Sequence, residues 1–238
     1  MGRYSVLLSP QLADLAGIAS GQRVLDVGCG PGALTAELVA RVGPAAVAAV
    51  DPSEPFVEAA RARHPDVSVQ RASAEHLPYP DDAFDAALAQ LVVQFMADPA
   101  AGVAEMRRVT RTDGVVAACV WGHAGESPLR PFWDAVLELD PAAESESGLT
   151  GTREGELAQV FETAGLREVE ETALLVSIEH PSFEEWWEPF TLGVGPVGVY
   201  LAKVDVERRA QVRKRCLVAL SDGPFVVRGR AWAARGLA

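Results

Sequence analysis

Strand-like apolar runs and amphipathic helical stretches alternate along the first half of the chain. The runs have the composition of strands buried on both faces, and they occur at residues 23–28, 45–51, 67–72, 84–90 and 115–121. Helical spacing of apolar positions appears between several of them, at residues 33–42, 54–64 and 99–109. This alternation predicts a parallel sheet whose strands are joined by right-handed helical crossovers.

The pattern changes after Trp121. Residues 153–165 predict a further helix, residues 166–178 contain a sixth strand, and residues 225–234 alternate well enough for a seventh. No ordinary crossover helix precedes the seventh strand, so we expect it to run antiparallel at the edge of the sheet. The remaining segments, at about 122–150 and 181–222, interrupt the alternation as two insertions that contain helical stretches.

These elements predict one α/β domain over residues 1–238, a Rossmann-like, doubly wound seven-stranded sheet with six parallel strands and an antiparallel last strand. Ligands bind such sheets beyond the carboxyl ends of the strands, and both insertions leave the sheet at that edge. We therefore expect residues 122–150 and 181–222 to form a helical cap over a binding site. A helix predicted at residues 9–18 leads into the first strand, so the chain before it also points toward this edge.

Charge and cysteine usage narrow the classes of partner. The chain carries 21 basic and 33 acidic residues, a net charge of −12, which argues against a nucleic-acid-binding surface. The basic stretch at residues 207–216 is interpreted as a solvated helix face that balances nearby acids. Cys29, Cys119 and Cys216 form no C-x-x-C pair, no metal-ligand spacing is visible, and the N-terminus lacks a signal peptide's apolar core. We expect a soluble cytoplasmic protein with no metal and no membrane contact.

A glycine-rich turn follows the first strand in the stretch VLDVGCGPGALT, residues 24–35. Its glycines fit the dinucleotide-binding pattern, with Asp51 at the end of the second strand placed to accept hydrogen bonds from a ribose. Asp26 stands two residues before the first glycine, where its carboxylate would repel a pyrophosphate but suit an ammonium group. A nicotinamide dinucleotide and S-adenosylmethionine both remain possible ligands of the turn, and Asp26 favours the second.

Four segments in order resemble one family: VLDVGCGPGALT, VAAVDPS, VQRASAEHLPYPDDAFDAALAQ and EMRRVTRTDGVVAACVW. Together they are similar to class I S-adenosylmethionine-dependent methyltransferases of the small-molecule group that includes the ubiquinone and menaquinone methyltransferases. The resemblance is strong over roughly residues 20–121 and weaker beyond. It implies S-adenosylmethionine as cofactor and S-adenosylhomocysteine as product.

The resemblance also implies roles for residues at the matching positions. The turn would bind the methionine moiety of the cofactor, and Asp51 would bind its ribose. Ser73 would accept a hydrogen bond from the adenine amino group, at a position where the family usually has an aspartate. Independently of the resemblance, the N-terminal segment points toward the same edge, where Arg3 and Tyr4 could close over the carboxylate of the cofactor or could belong to a disordered terminus. The residues so assigned to the cofactor are Asp26, Gly28, Cys29, Gly30, Gly32, Asp51, Pro52, Ser73, Ala74, Glu75, Gln90 and Tyr4.

Aromatic residues concentrate in the cap and near the strand ends below it. They are Phe95, Trp121, Phe132, Trp133, Trp186, Trp187 and Phe190. Such residues could line an apolar acceptor pocket or simply pack the cap onto the sheet. His123 and His180 lie at the starts of the two insertions and are candidates for a general base.

The function predicted from these observations is methyl transfer to a small, partly apolar metabolite by a monomer or homodimer. Two alternatives use the same turn. One is an NAD(P)-dependent oxidoreductase, which Asp26 and the antiparallel last strand disfavour. The other is a catalytically silent S-adenosylmethionine-binding regulatory protein, which the missing adenine aspartate leaves open.

Overall fold

A seven-stranded sheet forms the centre of the part of the chain that the computed structural model describes, residues 2–123, 126–193 and 195–238. Its strands are β1 (Val24–Val27), β2 (Val47–Asp51), β3 (Ser68–Arg71), β4 (Phe84–Gln90), β5 (Thr110–Trp121), β6 (Arg167–His180) and β7 (Phe225–Leu237). All residues of β1 and β2 are buried, as their apolar composition requires of strands covered on both faces.

The strand order is β3-β2-β1-β4-β5-β7-β6. β7 pairs antiparallel with β5 and with β6, and the other described pairings are parallel, which confirms the predicted seven-stranded sheet with an antiparallel last strand. The prediction that the last strand forms the edge was wrong, because β7 lies between β5 and β6. The connection from β5 to β6 skips one strand position, and β7 fills that gap with both of its sides hydrogen-bonded.

Nine α-helices surround the sheet in the described residues. They are α1 (Gly2–Leu15), α2 (Ala33–Val42), α3 (Glu54–Arg63), α4 (Pro99–Val109), α5 (Arg130–Leu139), α6 (Glu156–Thr163), α7 (Phe183–Trp187), α8 (Gly195–Lys203) and α9 (Val206–Leu220). α1 begins well before the predicted helix at residues 9–18 and contains Pro10 within its length. None of the described helices is long and apolar enough to cross a bilayer.

The sheet separates two apolar cores. One core contains side chains of α1, α2 and α3, such as Leu8, Leu34 and Val57, together with the cap. The other contains side chains of α4 and α6, such as Met106 and Phe161. Helices therefore cover both faces of the sheet, as a doubly wound fold requires.

The cap (residues 122–150 and 181–222) is held together by aromatic rings and by arginines of α9. The ring of Phe132 lies 5.8 Å from that of Phe190 and 6.0 Å from that of Tyr200, so the two insertions share one aromatic cluster. Arg208 donates to the carbonyl of Leu139 at 3.0 Å. Arg215 pairs with Glu138 at 2.8 Å, so the basic stretch fastens α9 to its neighbours and agrees with its interpretation as a helix face balanced by nearby acids.

Candidate functional site

The glycine turn joins β1 to α2 at the carboxyl end of the sheet. Gly28, Gly30 and Gly32 have φ values of +72°, +52° and +88°, a region that other L-residues rarely adopt. At Gly28 a Cβ atom would also meet the side chain of Val92 at 2.5 Å, whereas at Gly30 it would enter open space. The glycines therefore let the backbone turn sharply beside β4 and leave its peptide groups accessible.

Asp51, at the end of β2, holds this turn in place. Its Oδ2 accepts a hydrogen bond from the backbone N–H of Gly30 at 2.9 Å, and its Oδ1 accepts one from the N–H of Ser53 at 2.9 Å. Each carboxylate oxygen can accept a further hydrogen bond, so Asp51 can stabilise the turn and still receive a ligand hydroxyl. The sequence predicted the ribose contact of Asp51 but not its hydrogen bonds to the backbone of the turn.

Asp26 in β1 is a buried carboxyl with one unsatisfied oxygen. Its Oδ2 accepts a hydrogen bond from the hydroxyl of Thr35 at 2.6 Å, while Oδ1 has no hydrogen-bond partner among the described residues. Burial raises the pKa of Asp26 to about 7, and the nearby Asp51 charge adds to that rise while the Thr35 hydrogen bond opposes it. A buried carboxylate oxygen without a partner favours a cationic or hydrogen-bond-donating ligand.

A cavity of about 690 Å³ opens over this turn, a volume in the range of roughly 300–1,000 Å³ that small-molecule pockets occupy. Its floor is formed by the carboxyl ends of β1, β2 and β4 with the loops that follow them, and its roof by the cap. Buried polar atoms without described partners cluster on its walls: Asp26 Oδ1, Gln90 Oε1, Gln94 Oε1 and Trp121 Nε1. The wall thus offers hydrogen bonds that no described protein group uses.

Most of the residues predicted to contact the cofactor line this cavity. They are Asp26, Gly28, Cys29, Gly30, Asp51, Pro52, Ser73, Ala74, Glu75 and Gln90. Cys29 is buried, and burial first, with the charges of Asp26 and Asp51, raises the pKa of its thiol, so it is a packed side chain rather than a thiolate nucleophile.

Gly32 and Tyr4 lie outside the lining of the cavity. Gly32 stands at the start of α2, and its carbonyl oxygen is 3.1 Å from Nε2 of His64. The Tyr4 hydroxyl lies 2.8 Å from Nε2 of His180, and its neighbour Ser5 reaches the cavity instead. The Ser5 carbonyl accepts a hydrogen bond from the side-chain amide of Gln90 at 3.1 Å, so α1 contacts the floor through Ser5.

Neither histidine proposed as a general base lies in the cavity lining. His180 is buried between two partners, with Nε2 at Tyr4 and Nδ1 2.6 Å from a carboxylate oxygen of Glu185. Burial first, and the charge of Arg3 second, lowers the pKa of His180, so its neutral ring accepts from Tyr4 and donates to Glu185. The His123 pKa is also lowered by burial. Both histidines thus lie outside the cavity lining, and a histidine base stays a prediction.

Ser73 and Glu75 form one unit on the β3 side of the cavity. The Ser73 hydroxyl donates to one carboxylate oxygen of Glu75, and the other oxygen accepts from the N–H of Ala97 at 2.8 Å. Burial tends to raise the pKa of Glu75, but the hydrogen bonds from Ser73 and from backbone N–H groups outweigh it, so the pKa lies below its ordinary value. A negative charge therefore stands beside Ser73, where the family pattern has an aspartate.

Sequence patterns did not identify most of the loop after β4 or several cap residues of the lining, among which Glu146 is the charged one. Leu91 lines the cavity with φ +62°, an unusual conformation for a bulky side chain and a mark of a constrained site. Gln94, Met96 and Ala97 follow it in the lining, and Glu146 lines the cavity from the cap. No periodicity marks this loop, and Glu146 stands in a stretch of serines and acids that is typical of an exposed loop.

The aromatic residues divide between the two predicted roles. Phe95, Trp121 and Phe190 line the cavity. Phe132, Trp133, Trp186 and Trp187 are buried in the cap and pack against one another and Phe190. The aromatic content thus builds both an apolar wall and the support behind it.

Comparison with known proteins begins with a family match over the part of the chain that contains the floor. A family model described as a methyltransferase domain matches residues 25–118. The chain is 33% identical over 150 residues to 2-methyl-6-phytyl-1,4-hydroquinone methyltransferase 2 of Oryza sativa subsp. japonica, covering 62% of this chain and 39% of that protein. It thus spans less than half the length of several curated relatives that it matches.

Two further similarities extend over nearly the whole chain. An uncharacterized protein of Mycobacterium tuberculosis is 31% identical over 236 residues, which cover 91% of this chain and 82% of that protein. The crystal structure of the YcgJ protein of Bacillus subtilis superposes with a TM-score of 0.65 at 20% identity and covers 99% of this chain and 98% of that one. The second similarity shows that the two chains share a fold.

Proposed function

Because this chain belongs to the S-adenosylmethionine-dependent methyltransferase family, we propose that it transfers a methyl group from that cofactor to a small, partly apolar acceptor. The observation that carries the proposal is one continuous cavity, which joins the glycine turn to an apolar wall of the cap. S-adenosylmethionine, when bound, supplies a methyl group on a sulfonium that is already activated for transfer.

The floor of the cavity fits the cofactor. We assign the ammonium of its methionine moiety to Asp26, whose unpartnered buried Oδ1 needs a donor, with Gln90 beside it. Asp51 would accept from the ribose hydroxyls, and the Ser73–Glu75 unit would accept from the adenine amino group. All of these groups are acceptors, as the hydrogen-bond donors of the cofactor require. No described basic residue lines the cavity to pair with a pyrophosphate, which disfavours a nicotinamide dinucleotide.

The protein contributes alignment and exclusion of water rather than a histidine base. Trp121, Leu129 and Phe190 form an apolar wall that would orient the body of an acceptor and keep water out. Ser5 of α1 and the cap residues Pro196 and Val197 close the cavity from two other sides. An acceptor held between this wall and the floor would lie beside the methionine portion of the cofactor.

Calorimetry with S-adenosylhomocysteine, S-adenosylmethionine and NAD tests the cofactor assignment. We expect the first two to bind and NAD not to bind. Binding of NAD with no response to the other two would contradict the proposal. A methyl-transfer screen of aromatic and aliphatic acceptors on the same protein then separates an enzyme from a regulatory protein, since the latter would bind the cofactor and methylate nothing.

A further inference from the structure

Glu146 is a buried carboxyl in the cap side of the cavity. It begins the short 3-10 helix Glu146–Gly148 and is only 8% exposed. One of its oxygens, Oε2, accepts a hydrogen bond from the indole N–H of Trp133 at 3.1 Å. The side chain lines the same cavity as the glycine turn, together with Trp121, Leu129 and Phe190. A charge-bearing group thus stands in an otherwise apolar wall.

The bond to Trp133 does not account for an acid at this position. A neutral glutamine could accept the same hydrogen bond without the penalty of burying a carboxylate. No ion pair joins Glu146 to a basic side chain in the described part of the chain. Burial raises the pKa of Glu146, and the Trp133 bond only partly opposes this. The carboxyl is therefore a buried acceptor with a single described donor.

The remaining ionisable groups determine the charge of the cavity lining. Its other charge-bearing lining residues are Asp26, Asp51 and Glu75, all acidic, and no Lys, Arg or His is among the described residues that line it. A carboxylate or phosphate on an acceptor would meet like charge and no counter-charge. An amine or hydroxyl would find an acceptor atom at Glu146. Trp121, on the same wall, holds a buried indole N–H without a described partner, which suits an oxygen lone pair.

We propose that Glu146 selects the acceptor, its carboxyl oxygen receiving a hydrogen bond from an N–H or O–H group on a molecule whose apolar body lies against Trp121 and Phe190. The acceptor class is thus a neutral or cationic amine or alcohol, including phenols, and anionic molecules are rejected. This inference rests on the proposed function, because the proposed function assigns the cofactor to the floor and leaves the cap side of the cavity for the acceptor.

Three probes of similar shape test this selection: 2-phenylethylamine, 2-phenylethanol and 3-phenylpropanoate. Each is titrated by calorimetry into the full chain saturated with S-adenosylhomocysteine. We expect the amine or the alcohol to bind about tenfold more tightly than the carboxylate. In Glu146→Gln this preference should fall to within about threefold, while the affinity for S-adenosylhomocysteine and the melting temperature stay close to those of the unmodified protein, because glutamine keeps an acceptor for Trp133.

Trp133→Phe is the matched control, since it removes the indole donor and leaves the carboxyl. It should keep the preference among the probes. Equal or tighter binding of the carboxylate, binding of none of the probes, or a preference that survives Glu146→Gln would overturn the inference. Loss of the preference in Trp133→Phe to the same degree as in Glu146→Gln, or failure of Glu146→Gln to fold, would assign Glu146 a structural role instead. Failure of S-adenosylhomocysteine to bind the unmodified chain would overturn the proposed function and, with it, the selection that rests on it, whereas the outcomes above overturn the selection alone.

Discussion

The floor and the cap of the cavity are built on different physical principles. In the floor, backbone N–H groups and carboxylates hold each other, as Asp51 does with Gly30 and Ser53, and buried acceptors such as Asp26 Oδ1 are left for a ligand. In the cap, aromatic rings pack around Phe132, and Glu146 is its one acidic group in the cavity lining among the described residues.

The floor and the cap are also separate along the chain. The matched methyltransferase domain, residues 25–118, contains the floor and ends before the cap begins. A polar floor of fixed geometry suits a cofactor that is the same throughout a family, whereas an apolar cap of separate insertions can change with the acceptor. If the two parts are separate, substitutions should alter the floor and the cap independently.

Phe132→Ala should have the largest effect, on the stability of the cap. Phe132 is fully buried, and its ring lies 5.3 Å from that of Trp133 and 6.2 Å from that of Trp187. We expect a loss of about 3–5 kcal/mol in the free energy of unfolding, measured by urea denaturation, because a large cavity opens in the cluster. Phe132→Leu is the control and should lose less. If the floor is independent, S-adenosylhomocysteine affinity of the folded protein stays within about threefold.

Asp51→Ala should act on the floor. It removes the acceptor for Gly30 and Ser53 as well as the proposed ribose contact, so we expect the dissociation constant for S-adenosylhomocysteine to rise by about tenfold or more, measured by calorimetry. Asp51→Asn keeps one oxygen and should have a smaller effect. An unchanged affinity in Asp51→Ala would show that Asp51 does not hold the ribose.

Asp26 should make cofactor binding dependent on pH. Burial raises its pKa to about 7, and a ligand ammonium pairs only with the ionised form, so binding releases a proton. Affinity for S-adenosylhomocysteine should therefore rise about tenfold per pH unit below pH 7 and level off above it. Asp26→Asn should bind more weakly and lose this dependence. A wild-type affinity that is constant between about pH 5.5 and 7 would contradict the ammonium assignment.

The same shift has a defined sign for stability. Because the folded pKa of Asp26 exceeds the unfolded value of about 3.9, the folded ligand-free protein binds more protons between these values. The contribution of Asp26 to the free energy of unfolding is therefore fully present below about pH 4 and is lost as the pH rises through about 7. Asp26→Asn should therefore gain stability relative to the unmodified protein as the pH increases over this window, as denaturant titrations at each pH would measure.

Tyr4→Phe should have the smallest effect and tests the link between floor and cap. The Tyr4 hydroxyl bonds His180 at the start of the second insertion, while the adjacent Ser5 contacts Gln90 of the floor. Loss of this buried hydrogen bond should lower the free energy of unfolding by about 1 kcal/mol. Gln11→Ala is the matched control, because it removes exposed hydrogen bonds from the same helix and should cost less. A tenfold change in cofactor affinity in Tyr4→Phe would instead place Tyr4 in the binding site.

The pattern of apolar and polar residues was enough to predict the sheet, its antiparallel last strand and most of the residues that form the floor. The residues of the floor lie at fixed spacings from strand ends, and parallel strands bring those ends to one edge whatever else the chain does. Local pattern alone therefore predicts that Gly28, Gly30 and Asp51 lie at this edge, and their positions in the cavity follow from the strand order.

The contacts between segments that are distant along the chain could be seen only in the folded structure. Tyr4 and His180 are 176 residues apart, and their side chains contact each other outside the cavity lining. Glu146 has the sequence setting of an exposed loop, but the aromatic cluster of the cap buries it against the cavity. β7 lies inside the sheet because the β5–β6 connection leaves a gap. Burial and partners depend on which segments meet, and hydrophobic periodicity reports only on neighbours along the chain.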